Sequence, residues 1–487
     1  MTDCRHSLRL PVAAAAVTVL LRLPTLLEPH HYADEGIFAA VARQLLHGET
    51  LYRTVWDDKP PLIYWLYAAV LATAGPSMPA LRLIAALWAA AGTAAVTLLG
   101  TRWASPRVGL AAGVLFTLLV STPFIEGTLA LTELFAAAPV AWAFALTGVP
   151  TPATARRALG AGVLLGVAVL FKQVAALDTF ALGMALLLTG RPRRAVLLLG
   201  GWLLPPVTVG VLLAVQGSLA TGAHAVFGFY GGYLAAGSGH TPVTRLLGLV
   251  PGLIALSGAV IAARRGRLGP GHVLALWLAF AVTGATLAGR WYGHYLVQAA
   301  APVALTIALL SSTRREAAAA RVLGPVLCAA ALLVGATFNR FWLSYPMVRP
   351  GYYANLAAYL SGQRDRTAFA AYFDWRVAVQ EAFAPLIRAD RERTLFIWGE
   401  FPWLYALADA RNPTPYVTSY HTAYVPGAKE AVLRALWARP PRFVVWERDE
   451  WRRLPGLEQL LAERYEPVAQ VGSTQLLRRR DNALPVR

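Results

Sequence analysis

The stretch HYADEGIFAAVARQLLHGETLYRTVWDDKPPLIYWLYA, from His31 to Ala68, gathers five carboxylates and a lysine in a chain that is only 14% charged. Asp34 and Glu35 stand side by side after the first apolar run, and Asp58 and Lys59 precede a Pro-Pro turn with Tyr64 a few residues on. A carboxylate can take a proton from a hydroxyl, and a fixed cation can steady a developing negative charge. Each residue also has an ordinary reading. Asp34 and Glu35 suit the first turn of a helix, whose N-terminus favours negative charge, and Lys59 can snorkel at a membrane edge. Four further ionisable residues, Glu133, Lys172, Arg290 and His294, stand at or beside the ends of apolar segments. In such segments charge is costly and usually functional.

The elements that must position these residues follow from composition. The chain is 57% hydrophobic with a mean hydropathy of +0.50, which points to a multi-spanning membrane protein rather than a soluble one. Segments long enough to cross a bilayer, or nearly so, run over 10–28, 79–100, 107–122, 131–148, 158–174, 175–190, 195–215, 244–262, 271–289, 295–311 and 320–338, about 11 in all. The net charge of +18 lies in short arginine clusters between them: Arg5/Arg9, Arg102/Arg107, Arg156/Arg157, Arg191/Arg193/Arg194, Arg264/Arg265/Arg267 and Arg314/Arg315/Arg321. Every second connection is basic, which sets the N-terminus in the cytoplasm and argues against a nucleic-acid partner. The charged loop, Glu133, Lys172, Arg290 and His294 then share the outer membrane level.

Within the loop, Ile37, Phe38, Val41, Leu45 and Leu46 form a helical stripe that predicts an interfacial helix, followed by a second apolar helix too short to span. The aromatic, glycine-rich Phe227–Tyr233 segment reads equally as a lid or as an interfacial belt. Beyond residue 340, TLFIWGE, RFVVWE and STQLLRRR read as strands between the helical AKEAVLRALWA and LPGLEQLLAERY. The expected organisation is a transmembrane domain over 1–339 and a small extracytoplasmic α/β domain over 340–487. Cys4 and Cys328 imply no disulfide framework.

YADEGIFAAVARQLLHGETLYRTVWDDKPPLIYWLYA resembles the first extracytoplasmic loop of family-39-like glycosyltransferases of the GT-C fold, relatives of protein O-mannosyltransferases and of the lipid A aminoarabinose transferase. LTELFAAAPVAWAFAL, GVLLGVAVLFKQVAAL, GRWYGHYLVQAAAPVAL and LFIWGEFPWLYALADARNPTPYVTSY follow in the family's order. The resemblance implies transfer of a sugar from a polyprenyl-phosphate carrier to an extracytoplasmic lipid, polysaccharide or protein. It assigns the general base to Asp34, with Glu35 beside it. A phosphate leaving group needs cations, and Lys59, Arg290, Lys172 and His294 are those available, with Glu133, Asp58 and Tyr64 as acceptor-side or supporting groups. Direct attack by the acceptor inverts the anomeric centre.

The loop lacks a D-x-D and WDDK pairs its acids with a lysine, so a metal-free mechanism without cofactors is favoured, although His30 and His31 keep a divalent ion in view. The implied location is a bacterial cytoplasmic membrane, among its lipids. A flippase or transporter for a lipid-linked sugar is the alternative. Against it stand the absence of a G-x-x-x-x-G-K motif and of an inverted repeat. A structural scaffold would leave Asp34 dispensable.

Overall fold

The computed structural model describes residues 2–151, 154–229, 249–287, 292–311 and 351–481. The expected span 320–338, Arg290, Cys328 and residues 230–233 of the glycine-rich segment lie outside them. Among the described residues, Arg9–Leu27, Met78–Trp103, Pro192–Val215 and Gly293–Leu310 are helical stretches long and apolar enough to cross a membrane. Shorter apolar helices form on the expected spans at Pro106–Ser121, Thr132–Thr147, Gln173–Leu188, Val250–Arg264 and Pro270–Thr286, and at the short Leu62–Ala74. The chain divides into two compact units, each discontinuous in sequence.

The first unit comprises residues 1–26, 82–210 and 237–352. Its helices start where the local chemistry dictates: Ser105 accepts from the Val108 amide with Pro106 next in line, and Thr154 accepts from the Arg157 amide. The Thr132–Thr147 helix packs along Ala155–Phe171, Val297–Leu310 along Pro106–Ser121, and Pro270–Thr286 against the helix of Ala176–Leu188. Phe144 and Trp277 stack with ring centroids 4.0 Å apart. Buried Arg22 donates to the carbonyls of Val120, Gly127 and Thr128. That guanidinium ties down the loop that carries Glu126. The Pro192–Val215 helix keeps only 22% of its apolar window buried, a surface suited to lipid.

The second unit joins residues 27–81, 211–236 and 353–487. Its sheet has the order β1-β2-β4-β3, with β1 Leu395–Trp398, β2 Phe443–Glu447, β3 Tyr465–Val471 and β4 Thr474–Arg479. β1 and β2 run parallel with Phe396 opposite Val444, and the β2–β4 and β4–β3 pairs are antiparallel. β1 is buried throughout, as a strand covered on both faces must be. The apolar faces of Ala428–Ala438 and Leu457–Arg464 close a core around Phe396, Val432, Leu436, Val444 and Leu460. The strand missing from the sequence reading is β3, YEPVAQV. Pro467 and a bulge between Pro467 and Ala469 put it at the sheet edge, where the apolar alternation that marks a strand is lost.

The charged loop belongs to this unit. Helices Ala33–Leu46 and Leu62–Ala74 pack together, and Trp403–Leu407 packs on the former. Gly36 makes that approach feasible, since a Cβ there would lie 2.8 Å from both Pro402 and Trp403 side chains. Trp56 donates its amide to the Pro415 carbonyl and bridges in parallel with Tyr416.

Candidate active site

In the second unit, the turn after His47 is pinned by tyrosines. Tyr52 donates to the Lys59 carbonyl at 2.6 Å, and the Lys59 amide donates to Tyr64 Oη at 3.0 Å. Tyr64 in turn donates to Asp57 Oδ2 at 2.6 Å. Lys59 Nζ lies 2.6 Å from Asp58 Oδ1, and His421 Nε2 lies 3.1 Å from Asp57 Oδ1. Burial, then the neighbouring Asp58 charge, pushes the Asp57 carboxyl up to about 8. Burial also works on Asp58, but the Lys59 ammonium and then His421 overcome it and hold that carboxyl below the usual range. The His421 imidazole is driven down to about 4 by burial, against the pull of Asp58. Burial and Asp58 thus favour the protonated form of Asp57, Lys59 favours the ionised form of Asp58, and burial favours the neutral imidazole.

Asp34 and Glu35 occupy the first turn of Ala33–Leu46, after an N-cap, Tyr32, whose side chain makes no capping bond. Glu35 is buried and Asp34 half-buried. Trp403 Nε1 fixes the helix entrance by donating to the Tyr32 carbonyl, and Gln380 does the same at His30. Glu400 precedes that tryptophan. Arg452 Nη1 donates to Glu400 Oε1 and Glu450 Oε2, both at 2.9 Å, and Ser419 donates to Glu450 Oε2 at 2.7 Å.

In the first unit, four ionisable side chains meet at the ends of helices. Lys172 Nζ lies 2.7 Å from Glu133 Oε1, and Thr132 donates to Glu133 Oε2 at 2.8 Å. Glu126 Oε2 accepts from the His294 amide at 3.1 Å and lies 2.7 Å from His294 Nδ1. His294 Nε2 is 3.9 Å from Glu133, and the Lys172 ammonium rides 5.0 Å over the Tyr295 ring. Glu126, Glu133, Lys172 and His294 are all buried. Deeper in the bundle, Asp178 accepts from Trp277 Nε1 at 3.0 Å and Gln298 Nε2 at 2.7 Å.

Residues 58–216 match the sequence model of the family described as dolichyl-phosphate-mannose-protein mannosyltransferase. No curated protein matches the chain in sequence. The crystal structure of ArnT from Cupriavidus metallidurans in the apo state superimposes with a TM-score of 0.55 over 96% of this chain and 97% of that one, at 17% identity. The chain has the GT-C fold. The archaeal oligosaccharyltransferase AglB from Archaeoglobus fulgidus, solved with an inhibitory peptide and a dolichol-phosphate, matches with a TM-score of 0.45 over 91% of this chain and 69% of that one, at 14% identity. Among its described residues, this GT-C chain carries several helices long and apolar enough to cross a membrane.

Within the GT-C chain, the sequence-derived residues fall into two sets. Glu133, Lys172 and His294 come together in the first unit. Asp58, Lys59 and Tyr64 come together in the second, which also carries Asp34 and Glu35. Sequence reasoning did not single out Glu126, Asp178, Gln298, Asp57, Glu400, His421, Glu450 or Arg452. Glu126 had a weak local signal, an acid before glycine in a loop, and the structure gives it a left-handed φ of 55°. His421 and Arg452 had none, since their partners are remote in sequence.

Proposed function

We propose that the chain transfers a sugar from a polyprenyl-phosphate carrier to an extracytoplasmic acceptor hydroxyl, with inversion. The observation that carries the reading is the match of residues 58–216 to a family of lipid-phosphate-sugar-dependent mannosyltransferases, on a chain of GT-C fold. Asp34 is the general base. Its place in the first turn of a helix, where negative charge is favoured, suits a carboxylate that accepts the hydroxyl proton as that oxygen attacks the anomeric carbon. The departing lipid phosphate gains negative charge, which lysine or arginine stabilises. Lys59, Arg290, Lys172 and His294 are assigned to that task. Lys172 is already matched by Glu133 and His294 by Glu126. They therefore offer oriented hydrogen bonds more than free charge.

The test compares wild type with Asp34→Asn in a deletion strain of the host, at equal membrane abundance. Mass spectrometry follows surface glycans and polyprenyl-phosphate-sugars. Loss of one surface sugar with accumulation of one lipid-linked sugar is expected, with a rate reduced by about 10²–10⁴-fold. Wild-type profiles from the variant would reduce Asp34 to a helix-end charge and end the proposal.

A further inference from the structure

Asp57, Asp58 and His421 form a donor set that the sugar-transfer reaction leaves unexplained. One carboxylate oxygen from each aspartate and one imidazole nitrogen all lie within 4.8 Å of one another, and the three residues are buried. Asp57 Oδ1 is 3.1 Å and Asp58 Oδ1 4.0 Å from His421 Nε2. Around a tetrahedral ion with bonds of about 2 Å, neighbouring donors stand about 3.3 Å apart. Small side-chain shifts therefore close the set on a single ion.

Charge and outer contacts point the same way. Two carboxylates stand beside the Lys59 ammonium, with the Arg452 charge also acting on His421, and metal ligation takes both carboxylates deprotonated and the imidazole neutral. The aromatic wall is Trp56, whose ring lies 5.3 Å from that of His421 and is itself backed by Phe229 and Tyr416. In such surroundings an uncompensated charge is costly and calls for a cation or a proton. Tyr64 holds Asp57 by Oδ2 and leaves Oδ1 to face the imidazole, the kind of outer bond that orients a metal ligand. Ser419, bonded to Glu450, anchors the short helix that carries His421. His421 Nδ1 is buried and, among the described residues, has no hydrogen-bond partner. Whatever Nε2 binds therefore decides the tautomer.

We propose that Asp57, Asp58 and His421 bind one divalent transition ion, with Zn²⁺ the best match to one imidazole and two carboxylates. Lys59 stays on Asp58 as a neighbouring cation. The site joins the first loop to the C-terminal segment within one compact unit and does not depend on the sugar-transfer reading.

The experiment measures bound metal directly. Full-length protein is purified in detergent without chelator, equilibrated with Zn²⁺ and, separately, Mn²⁺, freed of excess by gel filtration, and analysed by elemental mass spectrometry. About one Zn²⁺ per chain is expected for wild type. His421→Ala and Asp57→Asn should each lower occupancy at limiting Zn²⁺ by about tenfold or more, and Tyr64→Phe, which keeps all three donors, should weaken affinity by about 10–100-fold. Thermal melts of the variants identify any that misfold, and the wild-type measurement needs none of them. Wild-type protein that retains neither ion overturns the proposal. So does well-folded His421→Ala that keeps wild-type occupancy, which would place the ion elsewhere.

Discussion

Glu133 and Lys172 bury opposite charges 2.7 Å apart in a helical bundle, where each needs the other. Removing one partner of such a pair leaves an uncompensated charge and typically costs about 3–5 kcal/mol. Glu133→Gln should therefore lower the melting temperature in detergent sharply, and adding Lys172→Met should restore much of it; a double variant no better than the single would refute the coupling. A second prediction concerns pH. Burial raises the Glu400 carboxyl to about 7, with Arg452 and Arg376 pulling it down and Glu450 and Asp34 pushing it up. Its folded-state value exceeds the ordinary 4.5, so its contribution to stability is complete below about 4.5 and is lost as pH rises through about 7. The loss amounts to at most roughly 3 kcal/mol. Glu400→Gln should flatten the fall in melting temperature between about pH 5 and pH 8. Residue types at helix ends were legible in the sequence: Glu133, Lys172 and His294 stood out there and do meet. Their fourth member, Glu126, was not, because its carboxylate reaches His294 only once a turn with positive φ folds it back.

Close helix contact in the first unit rests on small residues. A Cβ on Gly162 would stand 2.0 Å from the Leu198 carbonyl oxygen, and one on Gly201 would stand 2.2 Å from that of Leu159. The Ala155–Phe171 and Pro192–Val215 helices thus meet backbone to backbone, as small residues allow in membrane bundles. Gly162→Ala should push them apart and cost about 1–3 kcal/mol. Gly160 offers the control, because a Cβ there meets nothing within 4 Å, and Gly160→Ala should hold or gain stability through helix propensity. Equal melting temperatures for the two variants would show that the contact does not matter. At this scale periodicity was a good guide. β1, β2 and β4 lie in the segments read as strands, and Ala428–Ala438 matches AKEAVLRALWA. β3 escaped because proline and polar residues at a sheet edge erase the period-two signal. The pairing of Asp57 with His421 escaped for another reason: no local pattern encodes a contact between segments so far apart.

For the molecule as a whole, the arginine distribution makes a topological prediction. In a Cys4→Ser/Cys328→Ser background, a single cysteine at exposed Gly472, in the β3–β4 turn, should react with a membrane-impermeant maleimide on intact spheroplasts. One at exposed Arg265 should react only after permeabilisation. The reverse pattern would invert the assigned orientation and place Asp34 on the cytoplasmic side. The second unit has a further consequence, because it is built from residues 27–81, 211–236 and 353–487. At about 5–20 residues per second, the ribosome delivers Asp57 roughly tens of seconds before His421. During that interval the loop acids lack their last neighbour, and Gly36 lacks the Trp403 backbone it was left bare to receive. A nascent chain therefore cannot finish its first loop until His421 has been made. A premature stop before His421 would leave an N-terminal defect for cellular quality control to read.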